Sequence, residues 1–166
     1  HDPEGRETIL DILPDSLAKQ KLVPAGRLDY MSEGLLMLSN DGDFINKITH
    51  PGYEIPKKYL VRIRGEVDKD KIREIENGMT LQDGEKLAPV GIEKVRREKG
   101  KTFLLELFLH QGKNRQIRRM CRDLDLTVLK LQRTRQGPIE LDSLPPGKFR
   151  YLTNQEINEL KQIRKK

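Results

Sequence analysis

The sequence predicts a single mixed α/β unit that is rich in strands and has helices at its periphery. Two observations lead to this prediction. Several segments are continuously apolar or alternate between apolar and polar residues, which is typical of strands; they are residues 34–39, 59–65, 103–110 and 128–135. The segments between them show either short stretches of helical spacing or turn pairs that indicate hairpins, as at Asp83-Gly84 and Lys99-Gly100.

Length and composition are those of one domain. A chain of 166 residues can bury a substantial core. Cys121 is the only cysteine, which excludes an intrachain disulfide and is typical of a reducing cytoplasm. No apolar run approaches the roughly 18 residues of a membrane span, and we expect no signal segment. Because the chain begins with His1-Asp2-Pro3-Glu4-Gly5, we expect further sequence upstream.

Positive charge is concentrated after residue 56. Ten acidic and five basic side chains give residues 1–56 a net charge of −5, which leaves +11 for residues 57–166 of a chain whose total is +6. A basic surface on one part of a small domain favours a polyanionic partner, and nucleic acid is the first candidate. The alternative is the solvated, lysine-rich surface of a heat-adapted protein, and charge alone does not separate the two.

Residues 26–42 are the most informative stretch. Arg27 and Asp29 precede six uncharged residues, 34–39, and Asn40-Asp41-Gly42 ends the run as a turn. A short apolar run between turn residues predicts a strand that is buried on both faces. We therefore expect Asp29 in an irregular segment held by a rigid strand, where a carboxylate can be positioned for chemistry.

Helical spacing predicts several short helices. One within residues 3–21 is expected to end at Pro14, and another covers residues 43–49. Asp68 and Gly78 are the expected first and last caps of a third helix. A capping box at residues 153–156 predicts the last one. His50 is interpreted as a capping or turn residue, because no second His or Cys lies at metal-ligand spacing.

A helix with two distinct faces is predicted after residue 114, with Asn114 as its cap. Its apolar residues recur at i, i+3, i+4 and i+7, which defines one buried face; they are Ile117, Met120, Cys121 and Leu124. The arginines repeat the same spacing on the other face; they are Arg115, Arg118, Arg119 and Arg122. Cys121 belongs to the packing face, so we assign it to the core rather than to a nucleophile.

Several separated motifs occur in a defined order along the chain. They are Gly26-Arg27-Leu28-Asp29, Gly34-Leu35-Leu36, Asn40-Asp41-Gly42, Lys58-Tyr59 and Gly112-Lys113-Asn114-Arg115-Gln116-Ile117-Arg118-Arg119-Met120. In this order they resemble the motifs of the pseudouridine synthases, and most closely the RsuA/RluB/RluF class of ribosomal RNA synthases. The similarity runs from Asp2 to the last predicted helix. It implies an α+β fold with a mixed, mostly antiparallel sheet, peripheral helices and a catalytic cleft.

The resemblance also implies an activity and a set of site residues. The family isomerises uridine in RNA to pseudouridine, without cofactor or metal, on a nucleotide flipped out of its stack. Its aspartate nucleophile is matched by Asp29, and the tyrosine that stacks on uracil and can act as a base is matched by Tyr59. Arg118 matches the arginine that pairs with the aspartate, and Arg27 matches the one that holds the flipped nucleotide.

The residues themselves fit this chemistry. Breaking an N-glycosidic bond requires an anionic group beside C1′ and C2′ of the sugar, and a nearby arginine such as Arg118 keeps a poorly solvated carboxylate charged. Phosphate contacts are expected from basic residues around the site; they are Arg27, Lys58, Arg115 and Arg119. The stretch at residues 111–115 favours large-subunit (23S) over small-subunit RNA as the substrate. Taken singly, Asp29 is better explained as a turn or cap residue and Arg118 as a surface ion pair, and only the joint pattern favours catalysis. Tyr59, from its spacing alone, is equally well a core tyrosine.

Two departures from the class bear on the domain organisation. Members of the class carry an N-terminal S4-type RNA-binding domain and a strand with a Lys-Pro-x-Gly segment, and neither occurs in this sequence. We therefore expect residues 1–166 to be the catalytic domain, with the S4-type domain upstream of it. Ser32 stands where the class often has threonine, which keeps the hydroxyl. The chain is expected to be a cytoplasmic monomer that binds no membrane.

Two other functions stay open at this point. A non-catalytic RNA-binding module of ribosomal-protein type would use the same basic surface, with Asp29 in a structural role. A metal-dependent nuclease would use Glu33, Asp41 and Asp43, although Asp41-Gly42 is already explained as a turn.

Overall fold

The structure is a computed structural model that describes residues 2–166. Within these residues there are five α-helices and one 3₁₀ helix. They are α1 (Asp15–Ala18), α2 (Gly42–Thr49), α3 (Lys69–Asn77), α4 (Gln116–Asp123), α5 (Asn154–Gln162) and the 3₁₀ helix Pro51–Tyr53. The strands are β1 (Val23–Pro24), β2 (Glu33–Gly34), β3 (Leu38–Ser39), β4 (Lys57–Arg64), β5 (Gly91–Arg97), β6 (Thr102–Leu109), β7 (Thr127–Gln136) and β8 (Ile139–Glu140).

One mixed sheet organises the molecule. Its strand order is β2-β7-β4-β6-β5, and β8 pairs with β7. The pairing of β2 with β7 is parallel, whereas β4, β5, β6, β7 and β8 pair antiparallel. β1 and β3 form a separate antiparallel pair. The expected α+β class with a mixed, mostly antiparallel sheet is confirmed, and β6 is an interior strand of the sheet as its apolar sequence indicates.

The larger core lies between one face of this sheet and helices α3 and α4. Val61 on β4 stands opposite Leu105 on β6 and Leu131 on β7, and directly opposed residues share a face of the sheet. These side chains are buried against Ile75 of α3 and Met120 of α4. Helix α4 is therefore fixed to the sheet through its apolar face, as its sequence spacing predicts.

A second, smaller core joins the parts of the chain around residues 25–55 and the C-terminal helix. It contains Ala25, Met37 and Ile48 from the first part and Leu160 from the helix, together with Ile139 of β8. This core anchors the segment that precedes Asp29 and the segment that follows it. No helix within residues 2–166 is long and apolar enough to cross a membrane.

The prediction of one buried strand over residues 34–39 is wrong. The run is divided between β2, which pairs with β7, and β3, which pairs with β1 in the other sheet. The reason is that the chain passes from one sheet to the other between Gly34 and Leu38. Its apolar residues Leu35 and Met37 are buried in the second core on the way.

Two helix boundaries also differ from the sequence predictions. Pro14 precedes α1 instead of ending a helix, and residues 8–12 form turns. Proline lacks an N–H and has a fixed φ, so it is as compatible with a helix start as with a helix end. Asn114 does not cap α4; the residue before the helix is Arg115 in the left-handed conformation, with φ of 47° and no side-chain cap.

Other local predictions are confirmed. The Asp68 carboxylate accepts a hydrogen bond from the Lys71 N–H at the start of α3. His50 Nδ1 accepts one from the Gly52 N–H, which is the capping role expected for this histidine. Thr153 and Glu156 form the capping box of α5.

The capping box yields a stability prediction with a defined pH dependence. A side-chain hydrogen bond from Arg150, helped by the Thr153 N–H, lowers the pKa of Glu156 to about 2. Because this folded-state value lies below the ordinary 4.5, the stabilisation is complete above pH 4.5 and is lost as the pH falls toward 2. We expect Glu156→Gln, which keeps a capping side chain, to lower the free energy of unfolding by about 1 kcal/mol at pH 7.

Urea unfolding at several pH values checks this expectation. The difference from wild type should shrink between pH 4.5 and 2, where Glu156 itself becomes neutral. Glu159→Gln on the same helix is the matched control, since Glu159 is exposed and accepts only from Gln155. A difference that does not change with pH would contradict the prediction.

Candidate active site

Asp29 is the first residue of a tight turn. Its backbone carbonyl accepts a hydrogen bond from the Ser32 N–H at 2.8 Å, so Tyr30 and Met31 occupy the two central positions. The Asp29 side chain is 22% exposed. The carboxylate is therefore largely shielded from water but can still be reached from outside.

The segment after this turn is pressed against strand β7. Gly34 has φ of +110°, and a Cβ at this position would lie 2.2 Å from the Arg133 carbonyl oxygen, so only glycine fits. The Leu35 N–H donates to the Arg133 carbonyl at 2.8 Å, and Arg133 Nε donates back to the Leu35 carbonyl at 2.9 Å. Arg133 is buried, and its Nη2 has no hydrogen-bond partner within residues 2–166.

Helix α4 holds the same turn from the other side. Arg118 Nη2 donates to the Met31 carbonyl at 2.8 Å and to Ser32 Oγ at 3.3 Å. Arg118 Nε is also buried, and no acceptor reaches it in the described part of the chain. The turn that contains Asp29 is thus fixed to α4 by Arg118, and the segment that follows the turn is fixed to the sheet by Arg133.

The expected ion pair between Arg118 and Asp29 is not formed. The guanidinium within reach of the carboxylate is that of Arg115, whose Nη1 lies 4.0 Å from Asp29 Oδ2. The physical reason is that Arg118 already donates to the backbone of the turn, whereas Arg115 sits just before α4 in the left-handed conformation. Arg118 therefore contacts the Asp29 turn without contacting its carboxylate.

Tyr59 lies on the face of the sheet that carries Arg133. It is half-buried in β4 and packs against the larger core. Its Cα stands opposite Arg133 on β7 and Leu107 on β6. Tyr59 packs as a core tyrosine does, and its role in a site near Asp29 stays a prediction.

Lys57 is a candidate residue that the sequence analysis missed. It lies two residues before Tyr59 in β4 and therefore on the same face of the strand. Burial and the neighbouring charge of Arg133 lower its pKa. A Cβ on Gly112 would lie 3.6 Å from Lys57 Nζ, so the glycine-containing loop before α4 passes close to this amine. Alternation along the strand is the signal that identifies it.

The other predicted RNA-binding residues differ in their surroundings, since two of them are paired with carboxylates and one is exposed. Lys58 lies on the opposite face of β4 from Tyr59, where its Nζ is 2.6 Å from Glu93 and 3.8 Å from Glu106. Arg119 donates to Glu85 at 2.5 Å. Arg27 is exposed. Phosphate contacts by these residues stay a prediction, and for Lys58 and Arg119 they would require competition with existing carboxylate partners.

A cavity close to the Asp29 turn does not include the Asp29 carboxylate. It has a volume of about 570 Å³ and is lined mainly by apolar residues, and Leu28 and Gly34 contribute to its lining. Gln132 also lines it, and the Gln132 side chain points away from that of Arg133 because neighbouring strand residues alternate. Neither Asp29 nor Tyr59 borders this cavity.

The residues considered for a nuclease have other roles. Asp41 caps α2 by accepting hydrogen bonds from two backbone N–H groups. Glu33 lies 3.4 Å from Lys130 Nζ. Among residues 2–166, no group of three or more His, Cys, Asp or Glu side chains is arranged to hold a metal ion. Cys121 is buried in the core, and burial raises the pKa of its thiol to about 12.

Comparison with known proteins places this geometry in a family. The family model described as RNA pseudouridylate synthase matches residues 4–123, which include the Asp29 turn, β4 and α4. The chain belongs to the RNA pseudouridylate synthase family. A solved structure titled "Crystal structure of pseudouridylate synthase" superposes with a TM-score of 0.81 at 32% identity, over 92% of this chain and 65% of that one.

Two relatives agree with this assignment. An uncharacterized RNA pseudouridine synthase of Aquifex aeolicus is 40% identical over 95% of this chain and 62% of its own. The ribosomal large subunit pseudouridine synthase B of Bacillus subtilis is 38% identical over 98% of this chain and 66% of its own. The chain thus spans just under two thirds of these relatives. The family and class suggested by the sequence motifs are confirmed.

A substitution at Gly34 tests how the Asp29 turn is held. We expect Gly34→Ala to lower the free energy of unfolding by about 2 kcal/mol or more, because the new methyl group meets the Arg133 backbone at a positive φ. Urea unfolding measures the change. Gly42→Ala is the matched control, since a Cβ there has no atom within 4 Å. Equal stability of the two variants would contradict the close contact between Gly34 and β7.

Proposed function

We propose that this chain is the catalytic part of an enzyme that isomerises a specific uridine in ribosomal RNA to pseudouridine. The observation that carries the proposal is the Asp29 carboxylate. It is 22% exposed, lies 4.0 Å from the Arg115 guanidinium and belongs to a turn fixed from two sides. Membership of the RNA pseudouridylate synthase family supports it. The names of relatives such as the large subunit synthase of Bacillus subtilis favour 23S RNA as the substrate.

The reaction moves the bond between sugar and base from N1 to C5 of uracil. The C1′–N1 bond breaks, a C1′–C5 bond forms, C5 loses its proton and N1 gains one, so no atom is added overall. In one route Asp29 Oδ adds to C1′ and is later displaced. In the other it stabilises the positively charged sugar and accepts the proton that leaves C2′, and this proton returns to C2′ when the C1′–C5 bond forms. Both routes need an ionised carboxylate at the sugar, and neither calls for a metal or a cofactor.

Arg115 and Arg118 have separate roles in this proposal. Arg115 is the positive charge that faces the carboxylate, with its Nη1 4.0 Å from Asp29 Oδ2. Arg118 acts through the backbone, because it holds Met31 and Ser32 and thereby the direction in which Asp29 points. Such positioning is a major part of catalysis, since small displacements of a reacting group reduce rates strongly.

Tyr59 and Arg27 would receive the flipped nucleotide. A uracil within a folded RNA cannot be reached until it leaves its stack. The ring of Tyr59 offers an aromatic surface on which the extruded base can stack and a hydroxyl that can act as a base. Arg27, two residues before Asp29 and exposed, is placed to hold the backbone of that nucleotide.

Binding to the rest of the RNA would be dominated by charge. Arg115 and Arg27 are exposed beside the turn, whereas Lys58 and Arg119 would bind phosphates in competition with their carboxylate partners. Affinity should therefore fall with rising salt, as for other contacts to phosphates. We expect the enzyme to work as a monomer in the cytoplasm. An S4-type domain upstream of residues 1–166 would supply further RNA contacts in the complete protein.

Replacing the nucleophile tests the proposal. We expect Asp29→Asn to reduce pseudouridine formation by more than about a thousandfold, since the amide can neither add to C1′ nor stabilise positive charge. RNA binding should change little, because the side chain keeps its size. The measurement is incubation of precursor ribosomal RNA with each protein, followed by pseudouridine mapping and a binding titration.

Asp43→Asn is the matched control and should retain full activity, since Asp43 is an exposed carboxylate in the first turn of α2. Normal activity of the Asp29→Asn variant would overturn the catalytic role. If the wild-type protein binds RNA but modifies none, the RNA-binding module becomes the better explanation. Activity that disappears with EDTA would instead favour a metal-dependent enzyme.

A further inference from the structure

Two large apolar side chains project into solvent beside Asp29. Tyr30 is 81% exposed and Met31 is 69% exposed. They are the two central residues of the turn that begins at Asp29, a position where Gly, Pro, Asn, Asp and Ser are the usual residues. Neither side chain belongs to either of the two hydrophobic cores. Folding of the described residues therefore gives no reason for their size.

The turn presents these side chains on a rigid support. The Ser32 N–H closes the turn, and Arg118 of α4 donates to the Met31 carbonyl at 2.8 Å. The Arg6 guanidinium lies over the Tyr30 ring, 5.5 Å from its centroid, and is itself paired with Asp2 and Glu4. One face of the ring is thus covered by a cation, while the side chain as a whole stays exposed.

From this arrangement we propose that Tyr30 and Met31 form a wedge that contacts the RNA next to the target uridine. The wedge takes up the space that the uridine leaves in its stack, with the Tyr30 ring against the neighbouring base. The inference rests on the proposed function, because it requires that a nucleotide be flipped toward Asp29. Apolar side chains inserted between base steps are a general means of holding nucleic acid in an unstacked state.

Position and chemistry both favour RNA as the partner. The wedge follows Asp29 directly in sequence, so a nucleotide whose sugar reaches the carboxylate has its neighbours within reach of the turn. Arg27 and Arg115 lie beside the turn and are exposed, and their positive charge is suited to phosphates. An aromatic ring with a guanidinium on one side is also well suited to stack on a base with the other.

A wedge makes a prediction that a purely structural turn does not. Its contribution is large when the target uridine is stacked and small when the stack is already broken. We therefore compare two RNAs that contain the uridine mapped with the wild-type protein. One is the folded ribosomal RNA fragment, and the other is the same fragment with abasic sites on both sides of that uridine. The readout is the single-turnover rate of pseudouridine formation.

We expect the Tyr30→Ser, Met31→Ser double variant to lose roughly a hundredfold in rate on the folded fragment, because unstacking a base step costs a few kcal/mol. On the fragment with abasic neighbours, its rate should be within about threefold of wild type. Tyr30→Phe keeps the ring and should keep the rate on both RNAs. Tyr151→Ser, which changes another tyrosine that is 72% exposed, is the control for loss of a surface aromatic residue.

The outcomes separate this inference from the function on which it rests. Equal losses on both RNAs would overturn the wedge and indicate a role in placing Asp29. No loss on either RNA would also overturn it, while leaving the proposed function intact. Absence of pseudouridine with wild-type protein and the natural RNA would overturn the proposed function and the wedge together.

Discussion

The close approach of Gly34 to the Arg133 backbone is the constraint on which the rest of the site depends. Here β2 runs parallel to β7 for only two residues, and the chain then leaves the sheet to enter the second core. Only a residue without Cβ permits this contact, since a methyl group would lie 2.2 Å from the carbonyl oxygen. The reciprocal hydrogen bonds between Leu35 and Arg133 then fix where the preceding turn can lie. The two-residue contact between β2 and β7 thereby determines the position of the Asp29 carboxylate, five residues before Gly34.

Helix α4 also holds the Asp29 turn in place, and arginines in the helix and just before it supply positive charge beside the turn. Its apolar face is locked to the sheet by Ile117 and Met120, so its arginines project from a rigid element. Arg118 binds the backbone of the Asp29 turn, and Arg115 faces the carboxylate. Together with Arg133 and Lys57, these residues place several positive charges on the side of the sheet that carries Tyr59. Within residues 2–166, Arg133 and Lys57 have no carboxylate partner, and unpaired cations are costly to bury, which is typical of a site built for an anionic ligand.

The periodic parts of this architecture were predictable from sequence, because each depends on neighbours along the chain. The alternation in β4, the apolar face of α4 and the capping box at Thr153 are examples. The division of residues 34–39 between two sheets was not predictable, since a short apolar run has the same composition in a strand and in a crossing between sheets. The partner of Asp29 depends on the left-handed backbone of Arg115, which no spacing rule indicates. The alternation of residues in β4 would have identified Lys57, because it lies on the same face of the strand as Tyr59. The family motif instead contains Lys58, which lies beside it.

Amide hydrogen exchange of an Arg133→Lys variant tests whether Arg133 holds the Asp29 segment in place. This substitution keeps the positive charge but removes the Nε–H that donates to the Leu35 carbonyl. This role of Arg133 predicts exchange that is at least about tenfold faster in residues 29–35, with exchange in β4 and β6 unchanged. Unchanged exchange across residues 29–35, or an equal increase throughout the sheet, would contradict it.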